Sequence, residues 1–188
     1  MRVGVIVPPA AAVVTVDQVK DHLNIDHGDD DALLQTYLSA AVAQLDGPSG
    51  WLGRALGVQT IEIRLDAFDA GPILLPCPPI IDVLSVQYLD GAGAVQTMPA
   101  GDYELLGAEL DRAYGKSWPA ARSHREAVRV RYRAGYEGPI DPRIHAAILL
   151  MVGDLYANRE TIVTGTIATA LPMSMTVENL LTPLRVWA

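Results

Sequence analysis

Apolar positions follow a helical period at both ends of the chain and a period of two in its middle. Thr15-Val16-Asp17-Gln18 has the form of a capping box, in which the Thr hydroxyl and the Gln amide each satisfy an orphan backbone N–H. Val16, Val19 and Leu23 follow, so the pattern predicts a helix of about two turns. Beyond Asp26-His27-Gly28-Asp29-Asp30-Asp31, the residues Leu33, Leu34, Tyr37, Leu38, Ala41, Val42 and Leu45 fall on one broad stripe. Gly47-Pro48 stops this second helix. The aspartates lie where a helix N-terminus favours negative charge, so capping is their expected duty.

From Val58 the period is two. Thr60–Leu65 and Val83–Tyr88 alternate cleanly, and Asp90-Gly91-Ala92-Gly93 supplies the turn into a strand over Ala94–Met98. Short strands are expected over Tyr103–Leu106 and Glu109–Arg112, around Gly107. Val128, Val130 and Tyr132 alternate with Arg129, Arg131 and Arg133, which predicts one more half-buried strand. Helix returns at Asp141-Pro142, an N-cap followed by proline at the first helical position. Its stripe runs through Ile144, Ala147, Ile148, Met151, Val152 and Leu155 to an end near Arg159. Residues 161–170 are rich in Thr, Ala and Gly without a period and read as a mobile loop. Val177, Leu180, Leu181 and Leu184 repeat at i, i+3, i+4 and i+7, a short amphipathic helix before Arg185-Val186-Trp187-Ala188.

These elements define an α+β chain. Two N-terminal helices and one long later helix form a small helical bundle, with an antiparallel β unit of five or six strands inserted and a docking segment at the C-terminus. The expected divisions are 1–57 for the N-terminal arm and helices, 58–140 for the β unit, 141–160 for the long helix and 161–188 for the linker and tail. The apolar run Val3–Val14 is split by Pro8-Pro9 and is shorter than the roughly 20 residues a membrane span needs. The prolines would also break the helical core of a signal peptide, so an extended arm, with Val3–Val7 able to add an edge strand, is the preferred reading.

With 188 residues the chain is one domain, or one domain with an insertion. The single cysteine, Cys77, excludes an internal disulfide framework and lies among prolines with no cationic neighbour, which makes it a structural thiol. Gly115-Lys116-Ser117 is not a phosphate-binding loop, because Leu110 stands where the leading glycine belongs and Trp118-Pro119 follows in place of a helix. His22 and His27 lie near Asp26 and Asp29–Asp31, but the acids do not alternate as in a calcium loop, and helix capping accounts for them. A small metal-dependent hydrolase built on His22 and Asp26 is the alternative this leaves; no acid, base and nucleophile set emerges, and no cofactor is implied.

Charge is unevenly distributed. The net charge of −8 argues against a general phosphate-binding surface. Residues 1–111 carry 4 basic and 16 acidic side chains, whereas residues 112–143 carry 8 basic and 3 acidic. Arg125, Arg129, Arg131 and Arg133 share a parity and hence one strand face. That face is either a solvated sheet surface, a contact for an acidic protein, or a nucleic-acid-binding module. The absence of an accompanying aromatic stacking set favours the protein contact. The apolar C-terminal helix and its Trp187 either dock on the chain's own core or fill a partner's groove.

One ordered series stands out. It runs from Asp29-Asp30-Asp31 through Gln59-Thr60-Ile61, Leu75-Pro76-Cys77-Pro78-Pro79-Ile80 and Val83–Asp90 to Trp118-Pro119. It closes with Val128–Tyr136, Pro142 and Tyr156-Ala157-Asn158-Arg159-Glu160. In order and spacing it resembles the head–tail connector (adaptor) proteins of tailed bacteriophages and of phage-derived gene transfer agents, over about Val16 to Glu160. The resemblance implies a structural protein without catalysis or cofactor, made in the bacterial cytoplasm and carried at the head–tail junction of the particle. It implies a homo-oligomeric ring, usually of twelve copies, beneath the portal protein, with a tail-side stopper or terminator protein below. Double-stranded DNA would pass through without sequence-specific binding, and no membrane is involved. Val177, Leu180, Leu181, Leu184, Arg185, Val186 and Trp187 would then dock on the portal. Arg125, Arg129, Arg131 and Arg133 would meet Asp29, Asp30 and Asp31 between copies, and aspartates rather than arginines would face the DNA.

Overall fold

The computed structural model describes residues 1–158 and 173–187, so the expected loop over 161–170 lies outside the described residues, as does Ala188. Helix α1 (Val16–Leu23) begins at the capping box: the Gln18 amide N–H donates to Thr15 Oγ1 at 3.3 Å and the Thr15 N–H to Gln18 Oε1 at 2.9 Å. Helix α2 (Asp31–Leu45) departs from expectation, because Asp30 holds the cap position without a side-chain cap bond. Its carboxylate instead accepts from the Tyr156 hydroxyl. Helix α3 (Pro142–Ala157) starts where Asp141 accepts from the Arg143 N–H at 2.9 Å. Helix α4 (Met175–Leu181) is capped by Ser174 and runs into a single 3-10 turn over Thr182–Leu184.

All four helices bury their apolar stripes in one cluster. Val19 of α1, Leu34, Leu38, Ala41 and Leu45 of α2, Ile144, Ala147, Ile148, Met151 and Val152 of α3, and Val177 and Leu181 of α4 contribute to it. The strands are β1 (Arg2–Val7), β2 (Gln59–Leu65), β3 (Ile73–Leu74), β4 (Ile80–Leu89), β5 (Val95–Thr97), β6 (Tyr103–Leu106), β7 (Glu109–Arg112) and β8 (Val128–Ala134). They make a five-stranded antiparallel sheet in the order β1-β2-β8-β4-β5 and a three-stranded sheet in the order β3-β7-β6. A second apolar cluster draws on both sheets: Ile61, Ile63, Val86, Val128, Val130 and Tyr132 from the larger, Ile73 and Leu110 from the smaller. The N-terminal arm is therefore an edge strand, paired to β2 through Val3↔Ile63 and Val5↔Ile61. The long connection into β8 is anchored by Trp118, whose ring stacks on Phe68 at 4.9 Å between centroids.

The helical and sheet regions are joined through the segment after α2. Asp46 Oδ1 accepts from the Leu56 N–H at 2.7 Å and from Gln59 Nε2 at 3.0 Å. Gly135, at the exit from β8, has φ +124° and lies so close to Gly57 that a Cβ would sit 2.2 Å from its carbonyl oxygen. Only glycine fits there.

Tyr132 is fully buried and its hydroxyl donates to the Pro76 carbonyl at 2.8 Å. Tyr132→Phe should lower unfolding free energy by about 1–2 kcal/mol, because the hydrogen bond from this buried ring to the half-buried Pro76 is lost. Urea unfolding followed by tryptophan fluorescence checks this; an unchanged midpoint would mean that water replaces the bond.

Candidate functional site

Antiparallel partners place side chains on the same sheet face, so the register defines the outer surface row by row. Arg2 of β1 faces Arg64 of β2, which faces Arg129 of β8, which faces Gln87 of β4. The next row is Gly4, Glu62, Arg131 and Ser85, and the third contains Thr60, Arg133 and Asp82. Glu62 is the acid at the centre of this face, its side chain only 2% exposed. It accepts from Arg64 Nε at 2.7 Å and from Arg131 Nε. Burial pushes its carboxyl up, but the hydrogen bonds from Arg131 and Arg64 outweigh that and hold it below the ordinary Glu value. Arg133 grips Asp82 with two nitrogens, Nε to Oδ1 at 2.9 Å and Nη2 to Oδ2, which lowers the Asp82 carboxyl. Glu126 bridges Arg2 at 2.7 Å and Arg64 at 3.0 Å.

The arginine set read from the sequence thus divides. Arg131 and Arg133 are bound within the chain, whereas Arg125 and Arg129 are exposed and form no ion pair among the described residues. Sequence reasoning missed Glu62; the usable signal was a lone acid at an outward position of a strand whose outward partner is arginine.

The acidic set divides too. Asp31 pairs with Lys20 at 2.9 Å, tying α2 to α1, and Asp30 is held by Tyr156 of α3. Asp29 remains outward, 94% exposed, with only His27 Nδ1 at 3.8 Å. Two of the three therefore brace the helical layer, with Asp31 still exposed beside Lys20. His22 and Asp26 are both exposed, and among the described residues no group of three or more His, Cys, Asp and Glu is placed to hold a metal ion. Cys77 is buried, and burial together with the Asp46 charge pushes its thiol up to about 11.

At the C-terminus the apolar stripe is largely consumed by the chain itself. Val177 and Leu181 are fully buried; Leu180, Leu184 and Val186 are half-buried. The following strand-like segment is strapped down by the Val186 N–H donating to the Leu52 carbonyl at 2.9 Å and by Arg54 Nε donating to the Leu184 carbonyl. Gly53, at φ +63°, makes room: a Cβ there would meet the Val186 carbonyl oxygen at 2.7 Å. The Arg185 guanidinium lies 4.4 Å from the Trp51 ring centroid and 4.0 Å from that of Trp187, between two aromatic rings. Trp187 itself is 72% exposed. The helix stripe is therefore largely packed against the chain's own core, and Met175 and Trp187 are the exposed large apolar side chains of the described C-terminal residues.

Residues 13–76 match the model of the phage gp6-like head-tail connector protein family. The whole chain superposes on a chain of the native gene transfer agent virion with a TM-score of 0.77 at 23% identity, covering 100% of this chain and 97% of that one. The neck of the empty gene transfer agent particle, computed with C6 symmetry, matches with the same TM-score, identity and coverage. The neck of the native particle, computed with C12 symmetry, matches with a TM-score of 0.74 at 22% identity and equal coverage. No curated protein matches the chain significantly in sequence. The chain is thus similar to head–tail connector proteins, with the match to the family model lying in α1, α2 and the entry to the sheet, and it has the fold of a gene transfer agent neck chain throughout.

Two measurements follow from the ion pairs. Glu62, Asp82 and Glu126 are held below their ordinary values in the folded chain, so on acidification the unfolded state takes up protons first. Their stabilisation is complete above about pH 4.5 and is lost as pH falls through the lowered folded values. Asp46, raised by burial, works in the opposite sense. Urea midpoints measured across this range should fall with acid, and Glu62→Gln should flatten the fall. Arg131→Ala should cost about 1–2 kcal/mol at neutral pH, less than for a fully buried pair because Arg131 is half-exposed and Arg64 still braces Glu62. A loss near zero would make the face purely a solvated surface.

Proposed function

We propose that the chain is a structural head–tail connector. Copies of it form a closed ring, of twelve, at the junction between the portal protein and a tail-side stopper or terminator protein, and double-stranded DNA passes through the ring. The observation that carries this reading is the likeness of the whole chain, end to end, to a neck chain solved with C12 symmetry. The connector-family match at residues 13–76 supports it independently. The geometry fits a protein that works by contact: ion pairs gathered around the buried Glu62 and at Asp82 brace its surface. A structural, non-enzymatic role is the reading that the connector-family match supports. A net charge of −8 suits a lumen that repels phosphates and lets the duplex slide, so acidic rather than arginine side chains face the DNA. The chain works at the head–tail junction of the particle. The helical layer, with its small bundle of α1–α4, carries the C-terminal segment toward the portal, and Trp187 is its anchor there.

Trp187→Ala should leave the urea midpoint nearly unchanged and weaken cosedimentation with the portal about tenfold or more, the loss typical of an aromatic anchor. Equal cosedimentation of the variant and the parent chain would remove Trp187 from the contact; absence of any cosedimentation by the parent would contradict the connector reading.

A further inference from the structure

The outer sheet face carries an arrangement that folding alone disfavours. Arg2, Arg64 and Arg129 stand directly opposite one another across β1, β2 and β8, three like charges in one row. Like charges in that position repel. Glu126 offsets the first two, through Oε1 to Arg2 and Oε2 to Arg64, and Arg64 is further held by Glu62. Nothing among the described residues offsets Arg129, which is exposed between Arg64 and Gln87. Arg125, also exposed and without an ion pair among the described residues, precedes Glu126 in the chain.

The helical layer bears the complementary feature. Asp17 and Asp21 lie four residues apart on α1 and hence on one side of it. Both are exposed, as are Asp26 and Asp29 at the corner that follows. The one lysine of that helix, Lys20, is engaged by Asp31, so the local cation does not neutralise them. Exposed acids also stand on the smaller sheet, where Glu104 faces Asp111 and Glu109 lies on the same face, but there Arg112 pairs with Asp111 and supplies a local cation.

We propose that the Arg129 end of this row receives carboxylates from α1 of a second copy of the same chain, chiefly Asp17 and Asp21. This rests on the ring reading and specifies its contact. The two surfaces lie on different parts of one chain, the sheet and the helical layer, so the contact can run head to tail, and a head-to-tail contact whose rotation closes generates the ring. A second copy is favoured over DNA because Glu62 and Glu126 already offset two of the row's three arginines, and because the chain's net charge is −8.

Ring formation on the portal, followed by cosedimentation and electron microscopy with the full chain, tests the pairing. Arg129→Glu relieves the repulsion between Arg64 and Arg129, so it should keep or raise the urea midpoint while reducing ring formation about tenfold or more. Asp17→Arg with Asp21→Arg should do the same, and combining all three substitutions should restore rings. Arg129→Glu rings that form as well as those of the parent would overturn the contact while leaving the connector reading intact. A parent chain that forms no ring would overturn both. Unimpaired rings together with weakened binding of Arg129→Glu to a short DNA duplex would also overturn the contact and assign the row to phosphate.

Discussion

The alternation along β8 is the constraint on which the molecule rests. Val128, Val130, Tyr132 and Ala134 are buried, whereas Arg129 and Arg131 are exposed and Arg133 is half-buried. Because β8 is the middle strand of its sheet, each inward side chain is covered by neighbours on β2 and β4 as well as by the smaller sheet. Each outward arginine must then find its anion on an adjacent strand or outside the chain. A one-residue slip would carry the arginines into the apolar cluster, so the register that builds the core also fixes which charges are paired. Glu62 and Asp82 meet Arg131 and Arg133 because that register puts them opposite.

The helical half follows a different economy. Its core closes only when α4 lies against α3, since Val177 and Leu181 are as fully buried as Leu34 and Ile148. The C-terminal segment is thus both part of the fold and the carrier of an exposed tryptophan. Its attachment by Arg54, Leu52 and the stack of Arg185 between Trp51 and Trp187 holds that tryptophan in a defined place. Preorganisation of this kind reduces the ordering cost of binding.

Much of this was legible in the amino-acid order. The capping box at Thr15, the Asp141-Pro142 start and the parity of the arginine strand are local signals, and each maps onto an observed feature. What stayed hidden depended on partners distant in sequence. Tyr156 lies 126 residues from Asp30, and nothing local distinguishes an aspartate that caps a helix from one that accepts a tyrosine hydroxyl. Arg131 lies 69 residues from Glu62, so an exposed-looking arginine turned out to brace a buried acid. The amphipathic stripe of α4 was equally readable, but periodicity states that a face is covered, not by what. The overall resemblance to connector proteins came from the order of many weak segments, whereas the family model matches residues 13–76 alone.

If the chain acts through contact between copies, its place in the particle decides the matter. Electron microscopy of the neck of particles carrying this protein, reconstructed without imposed symmetry, should reveal a ring of twelve copies directly beneath the portal, each with its sheet against the helical layer of the next. Density for the chain elsewhere in the particle, or single copies there without mutual contact, would contradict the account.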